Sequence, residues 1–134
     1  MKLFNLLKRK IGDGNTACDA FLAVVYCTAT EGLSIANSTA LKEIINTANP
    51  IDFSFLNPGS FEVFFQGNEI EKAQQLTTTL RTFAVRHGIP HFGIGVALGQ
   101  CLVAFNAEGR FTSHPVGEII THAMKAAHKE ASRH

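Results

Sequence analysis

The sequence predicts an α+β fold with a ferredoxin-like βαββαβ core and a C-terminal strand-helix extension. Three observations carry this expectation. A nearly continuous apolar run at residues 20–28 (AFLAVVYCT) reads as a central strand buried on both faces. Two strand-like stretches, 51–56 and 61–66, flank the turn Asn57-Pro58-Gly59-Ser60 and form a hairpin. Apolar residues recur at helical spacing over 70–84 and again over 116–127.

Each element has a local reason. Ser38 or Thr39 is expected to cap a first helix in which Leu41, Ile44, Ile45 and Ala48 share one face, and Pro50 prevents its continuation. Ile51, Phe53 and Phe55 alternate with Asp52, Ser54 and Leu56, as in a half-buried strand. In the following turn Pro58 fixes φ at the second position, and Gly59 is expected to supply positive φ at the third. Asn68 followed by Glu71 resembles a capping box, opening a helix that turns Ile70, Ala73, Leu76, Leu80, Phe83 and Ala84 inward. Gly88 and Pro90 stop it.

The next strand has one large and one bare face. Phe92, Ile94, Val96 and Leu98 alternate with Gly93, Gly95 and Ala97. A bare face lets a helix, a second subunit or a ligand approach the backbone closely. A packed helix is the first expectation; Gly93, Gly95 and Ala97 are also the candidate residues for a subunit interface. Gly99 is expected to turn the chain into a second strand at 100–105, followed by a loop and a short strand at 110–113. The last helix is expected to begin near Pro115, with Val116, Ile119, Ile120, Ala123, Met124 and Ala127 as its apolar stripe.

The 134 residues suit one domain, and 46% hydrophobic against 17% charged residues suits a globular one. Charge is uneven. Lys2, Lys8, Arg9 and Lys10 precede the first acid, Asp13, which leaves 8 basic against 11 acidic residues in the remainder. The expected division is a basic amphipathic leader over 1–15 and a single domain over 16–134. The leader reads as a solvated or loosely docked end, with membrane contact through residues 1–10 as the alternative. The folded part lacks the basic excess that nucleic-acid binding needs, so no nucleic-acid partner is expected. No stretch has the length to span a bilayer. Cys18, Cys27 and Cys101 lack metal-site spacing; Cys27 and Cys101 sit inside apolar runs and suit buried thiols, and a reducing cytoplasm is the expected home.

Two segments carry a family resemblance. Residues 94–103 (IGVALGQCLV) resemble the glycine-centred strand-turn-strand of the class III adenylate/guanylate cyclase catalytic domain. Residues 111–123 (FTSHPVGEIITHA) resemble that family's FTxxG(D/E)xVNxA segment. The resemblance implies a nucleotide-cyclase-like fold over about residues 20–130. It also implies where the chemistry would sit: two aspartates holding two metal ions, one at the end of the first strand and one in the hairpin turn. Thr28 stands at or near the first position, and Gly59 or Ser60 at the second. None of these supplies a carboxylate. An Asn and an Arg on the family's late helix match Thr121 and Lys125 here. Glu31 and Glu62 are the nearest acids to the missing pair, Glu31 on a loop and Glu62 on a strand face. A diguanylate cyclase reading meets the same objection, because NPGSFEVFF has the hairpin without paired acids.

The resemblance therefore implies a domain without catalysis, metal or cofactor, acting as a homodimeric regulatory or protein-interaction module. Thr28, Gly59, Ser60, Thr121 and Lys125 are its candidate ligand-binding residues, and non-catalytic binding of a small ligand or nucleotide in the inter-subunit cleft is the alternative. Other chemistries have thinner support. His87 and His91 have metal-ligand spacing, but Gly88 and Pro90 break the helix between them. His114 is expected to cap or flank a helix entrance, where it could also meet an anion. Among the cysteines Cys27, at the end of a buried strand, is the only mild candidate for a nucleophile. A different enzyme would need a polar constellation around Cys27 or His114. RNA binding would need Phe61, Phe64 and Phe65 exposed on the sheet.

Overall fold

The computed structural model describes residues 17–133, so the expected leader at 1–15 lies outside the described residues. The elements are β1 (Ala17–Ala29), α1 (Ile35–Thr47), β2 (Asp52–Asn57), β3 (Ser60–Gln66), α2 (Ile70–Arg86), β4 (Phe92–Ala104) and α3 (Glu118–Ala131). A short 3-10 turn at Gly67–Glu69 leads into α2. The sheet order is β2-β3-β1-β4 with every neighbour antiparallel. This is the expected ferredoxin-like α+β architecture, with the third helix as its extension.

β1 forms the centre because its apolar run can be buried on both sides. On one face, Val25, Cys27, Phe61, Val63 and Phe65 pack beneath Leu41 and Ile45 of α1 and Leu76 and Leu80 of α2. On the other, Leu22, Val24, Phe64, Cys101 and Val103 pack with Ile119, Ala123 and Ala127 of α3.

The bare face of β4 is where α3 lies. A Cβ on Gly93 would stand 1.9 Å from the Ala127 carbonyl oxygen, and one on Gly95 would stand 1.9 Å from that of Ala123. Ala97 packs half-buried in the same cluster. The chain's own helix thus occupies this face, the first expectation for it, and takes the place that Gly93, Gly95 and Ala97 would have offered to a second subunit. Close contact of helix backbone with strand backbone is what glycine permits and any larger residue forbids.

Five local expectations are corrected. Gly99 makes no turn: β4 runs unbroken and pairs with β1 from Phe92 to Ala104. Gly99 pairs with Leu22, and its missing Cβ makes room for Ile119, which would come within 2.5 Å of one. Residues 110–113 form only an isolated bridge, Phe105 to Phe111. Ser34, not Ser38 or Thr39, caps α1, its hydroxyl accepting from the Asn37 N–H at 3.0 Å. Asn68 does not cap α2, because the 3-10 turn precedes that helix and Glu69 takes the cap position. Pro115 does not open α3: Val116 first bridges to Leu102, and the helix begins at Glu118 after Gly117.

Gly59 is also glycine for a different reason. Positive φ occurs at Gly32, Gly88 and Gly109 but not there. A Cβ on Gly59 would stand 2.4 Å from the Ala29 carbonyl oxygen. The hairpin tip is docked against the end of β1, where the Ala29 N–H donates to the Gly59 carbonyl at 2.6 Å and the Leu33 N–H to Pro58 at 2.8 Å.

Candidate functional site

Antiparallel register puts the residues that matter on one face. Thr28 pairs directly with Ser60, and Tyr26 with Glu62. Side chains two apart on a strand share a face, so these four side chains form a polar strip beside the α3 cluster. The Thr28 and Ser60 hydroxyls hydrogen-bond each other at 3.1 Å, and the two residues are only 4% and 6% exposed. The structure thus brings together Thr28, Gly59 and Ser60. It does not bring Thr121 or Lys125 to them by the buried side of α3: both are exposed, roughly opposite Ala123 on the helix.

Two ions held by paired carboxylates do not fit this place. Its donors are neutral hydroxyls, already bonded to one another and closed beneath the surface. Hard divalent cations want anionic oxygens. Among the described residues no three His, Cys, Asp or Glu side chains gather as a metal set.

The strongest polar feature lies two residues further along β3. Glu62 is fully buried, and one of its carboxylate oxygens, Oε1, meets His114 Nε2. The other, Oε2, has no hydrogen-bond partner among the described residues. Burial pushes the Glu62 carboxyl above the usual glutamate range, and the His114 imidazole beside it pulls back part of the way. His114 stands on the segment between β4 and α3, half-exposed, and not at a helix entrance.

That segment is held over β2 and β3. Asp52 accepts from its own neighbour Phe53 N–H at 2.8 Å and from Phe111 N–H at 3.0 Å. Phe111 packs edge-on against Phe64 at 5.4 Å between ring centroids. Together with Glu62, His114 and Ser54 these residues line a cleft of about 250 Å³. Two larger hollows offer less chemistry. The one of about 630 Å³ beside α2 has its charges paired, Arg81 donating to both oxygens of Glu130 at 2.8 and 3.0 Å. The one of about 410 Å³ between α1 and α2 has no buried carboxylate.

The remaining candidates resolve simply. Cys27 is fully buried and its thiol is held well above its ordinary pKa by burial, which removes it as a nucleophile. Burial and the nearby Glu62 push Cys101 up to about 11. His87 stacks on Phe83 at 4.1 Å, while His91 lies 3.5 Å from Glu31. Phe61, Phe64 and Phe65 are buried, so the aromatic platform that RNA binding requires is absent from these positions. The Glu62–His114 pair was missed because its members are far apart in sequence. The available signal was a lone acid inside the apolar strand FEVFF, which needs a partner if it is buried.

No family profile and no characterised protein sequence matches the chain. Solved structures do. A bacterial light-regulated adenylyl cyclase superposes with a TM-score of 0.57 at 12% identity, covering 84% of this chain and 40% of that one. A second structure of a bacterial light-regulated adenylyl cyclase gives 0.51 at 13% identity, over 82% of this chain and 40% of the other. At such identity the likeness establishes a cyclase-like fold, and this chain spans less than half the length of those proteins.

Proposed function

We propose that this chain is a cyclase-scaffold domain without cyclase turnover, which works as a homodimeric regulatory or protein-interaction module in the cytoplasm. The observation that carries the reading is the Thr28–Ser60 pair. These residues stand at or near the positions where the resembled family keeps metal-binding aspartates, and here they face each other as bonded neutral hydroxyls. Without anionic ligands the triphosphate charge and the ribose hydroxyl have nothing to activate or neutralise them. Lys125 supplies a charge but not the two-donor fork of arginine, and it faces solvent.

Association is supported by a different surface from the glycine face. Val96, Leu98 and Leu102 of β4 and Phe21 of β1 project to the side of the sheet away from α3, and Leu98 is 45% exposed. A contiguous apolar patch on an edge strand favours a protein partner, and a second copy of this chain is the one proposed.

The test is direct. Purified protein given ATP or GTP with Mg²⁺ or Mn²⁺ is expected to release no pyrophosphate above a protein-free blank. Steady release that survives further purification contradicts the reading. Light scattering on the eluting protein is expected to give the mass of two chains, and a monomer at high concentration removes the dimer.

A further inference from the structure

The cleft beneath residues 111–115 contains a buried acceptor that the fold does not use. Glu62 is 0% exposed, yet only Oε1 has a partner. A buried carboxylate oxygen left without a hydrogen bond is destabilising. The Thr28 and Ser60 hydroxyls do not relieve it, because neither lies within hydrogen-bond reach of Oε2.

The surroundings define what would relieve it. Besides Glu62 the cleft holds a second acid, Asp52, whose two oxygens already receive backbone N–H groups. Its single basic group is the His114 imidazole, and neither lysine nor arginine lines it. Phosphate is therefore disfavoured and a cation favoured. Phe64 and Phe111 present aromatic surface, which attracts flat cations. At about 250 Å³ the space lies below the roughly 300–1,000 Å³ typical of pockets for drug-sized ligands.

The geometry points to a binding site for a small molecule bearing an amidinium or guanidinium group, whose two parallel N–H donors would take both oxygens of Glu62. The half-exposed His114 is the movable wall. The ligand displaces its imidazole from Oε1 and exchanges a one-point contact for a bidentate one. This site is built from β2, β3 and residues 111–115 of one chain, so it needs neither a nucleotide nor a second subunit.

Benzamidine is the probe, with benzoate and benzyl alcohol as controls of equal size and different charge. Nitrogen-15 NMR of the full chain follows the backbone amides of Glu62, Thr112, Ser113 and His114 and the His114 ring. Benzamidine is expected to shift these signals saturably and to move the His114 ring resonances toward those of a solvated imidazole. Glu62→Gln is expected to weaken binding by about tenfold or more, the loss of a charge-assisted pair. Ser54→Trp, which fills the mouth from an exposed position, is expected to abolish it without touching the carboxylate. The proposal is overturned by no saturable shift in the wild-type protein. It is equally overturned by shifts that benzoate or benzyl alcohol reproduces, or by binding that persists unchanged in Ser54→Trp.

Discussion

The two faces of β3 bury different chemistries on one strand. Phe61, Val63 and Phe65 enter an apolar layer beneath α1 and α2, while Ser60, Glu62 and Phe64 point to the opposite side. The first face has the composition that folding alone asks for. The second buries the Ser60 hydroxyl, bonded to Thr28 of β1, and a carboxylate, with His114 brought across from the far end of the chain to meet the latter. Folding gains little from such a group: replacing a buried ion pair by apolar residues is often neutral or stabilising. The contrast places the buried polar groups on the α3 side of the sheet, while the α1–α2 side of β3 is purely apolar.

Moving the carboxylate across the strand breaks this contrast most severely. Val63→Glu places the same group one residue away, on the face without an imidazole, and is expected to cost about 4 kcal/mol or more. Urea denaturation checks it, with loss of cooperative folding as the extreme result. Gly95→Ala comes next. Its new methyl meets the Ala123 carbonyl, which belongs to helix backbone and cannot swing aside. A loss of about 1–3 kcal/mol is expected from the same measurement.

His114→Ala sharpens the comparison through pH. The titratable neighbours of Glu62 are His114, Asp52, Tyr26 and Cys101. Burial raises both Tyr26 and Cys101, so neither ionises near neutrality. The folded carboxyl of Glu62 already holds its proton more tightly than the unfolded one, because burial raises its pKa. Between the two pKa values the folded state binds more protons, so this group's contribution to stability is full below the ordinary glutamate pKa and is lost as pH rises through the raised one. Removing the imidazole raises the folded value further. The variant is expected to lose about 1–3 kcal/mol at neutral pH and progressively less on acidification. A deficit that grows toward low pH contradicts the assignment of the buried charge. Leu98→Lys has the smallest expected effect on stability, within about 0.5 kcal/mol, since Leu98 is half-exposed. Its effect is expected in the measured mass, which falls to that of one chain.

The same contrast explains what the sequence made legible. The α1–α2 face follows period-2 and period-3.6 patterns, so β1, the hairpin and the inward stripe of α2 were readable from residue order alone. The bare face of β4 was readable too, and a packed helix proved to be its occupant. Positions decided by distant neighbours were not. Gly99 has the composition of a turn, but its place opposite Leu22 and under Ile119 keeps it in a strand. Pro115 suits a helix start, but the bridge from Val116 to Leu102 delays α3. Glu62 and His114 carry no local signal of each other, because tertiary structure alone closes the gap between β3 and the last loop.

The account rests on the Thr28–Ser60 end of β1 and β3 being closed to metal. Electron paramagnetic resonance of Mn²⁺ measures this without relying on turnover. Titrating wild-type protein into Mn²⁺, with ATP or GTP kept below the metal concentration, is expected to leave the free-ion signal unchanged beyond the nucleotide's own effect. Saturable loss of that signal in the wild type, restored in the Thr28→Ala/Ser60→Ala double variant, contradicts the account.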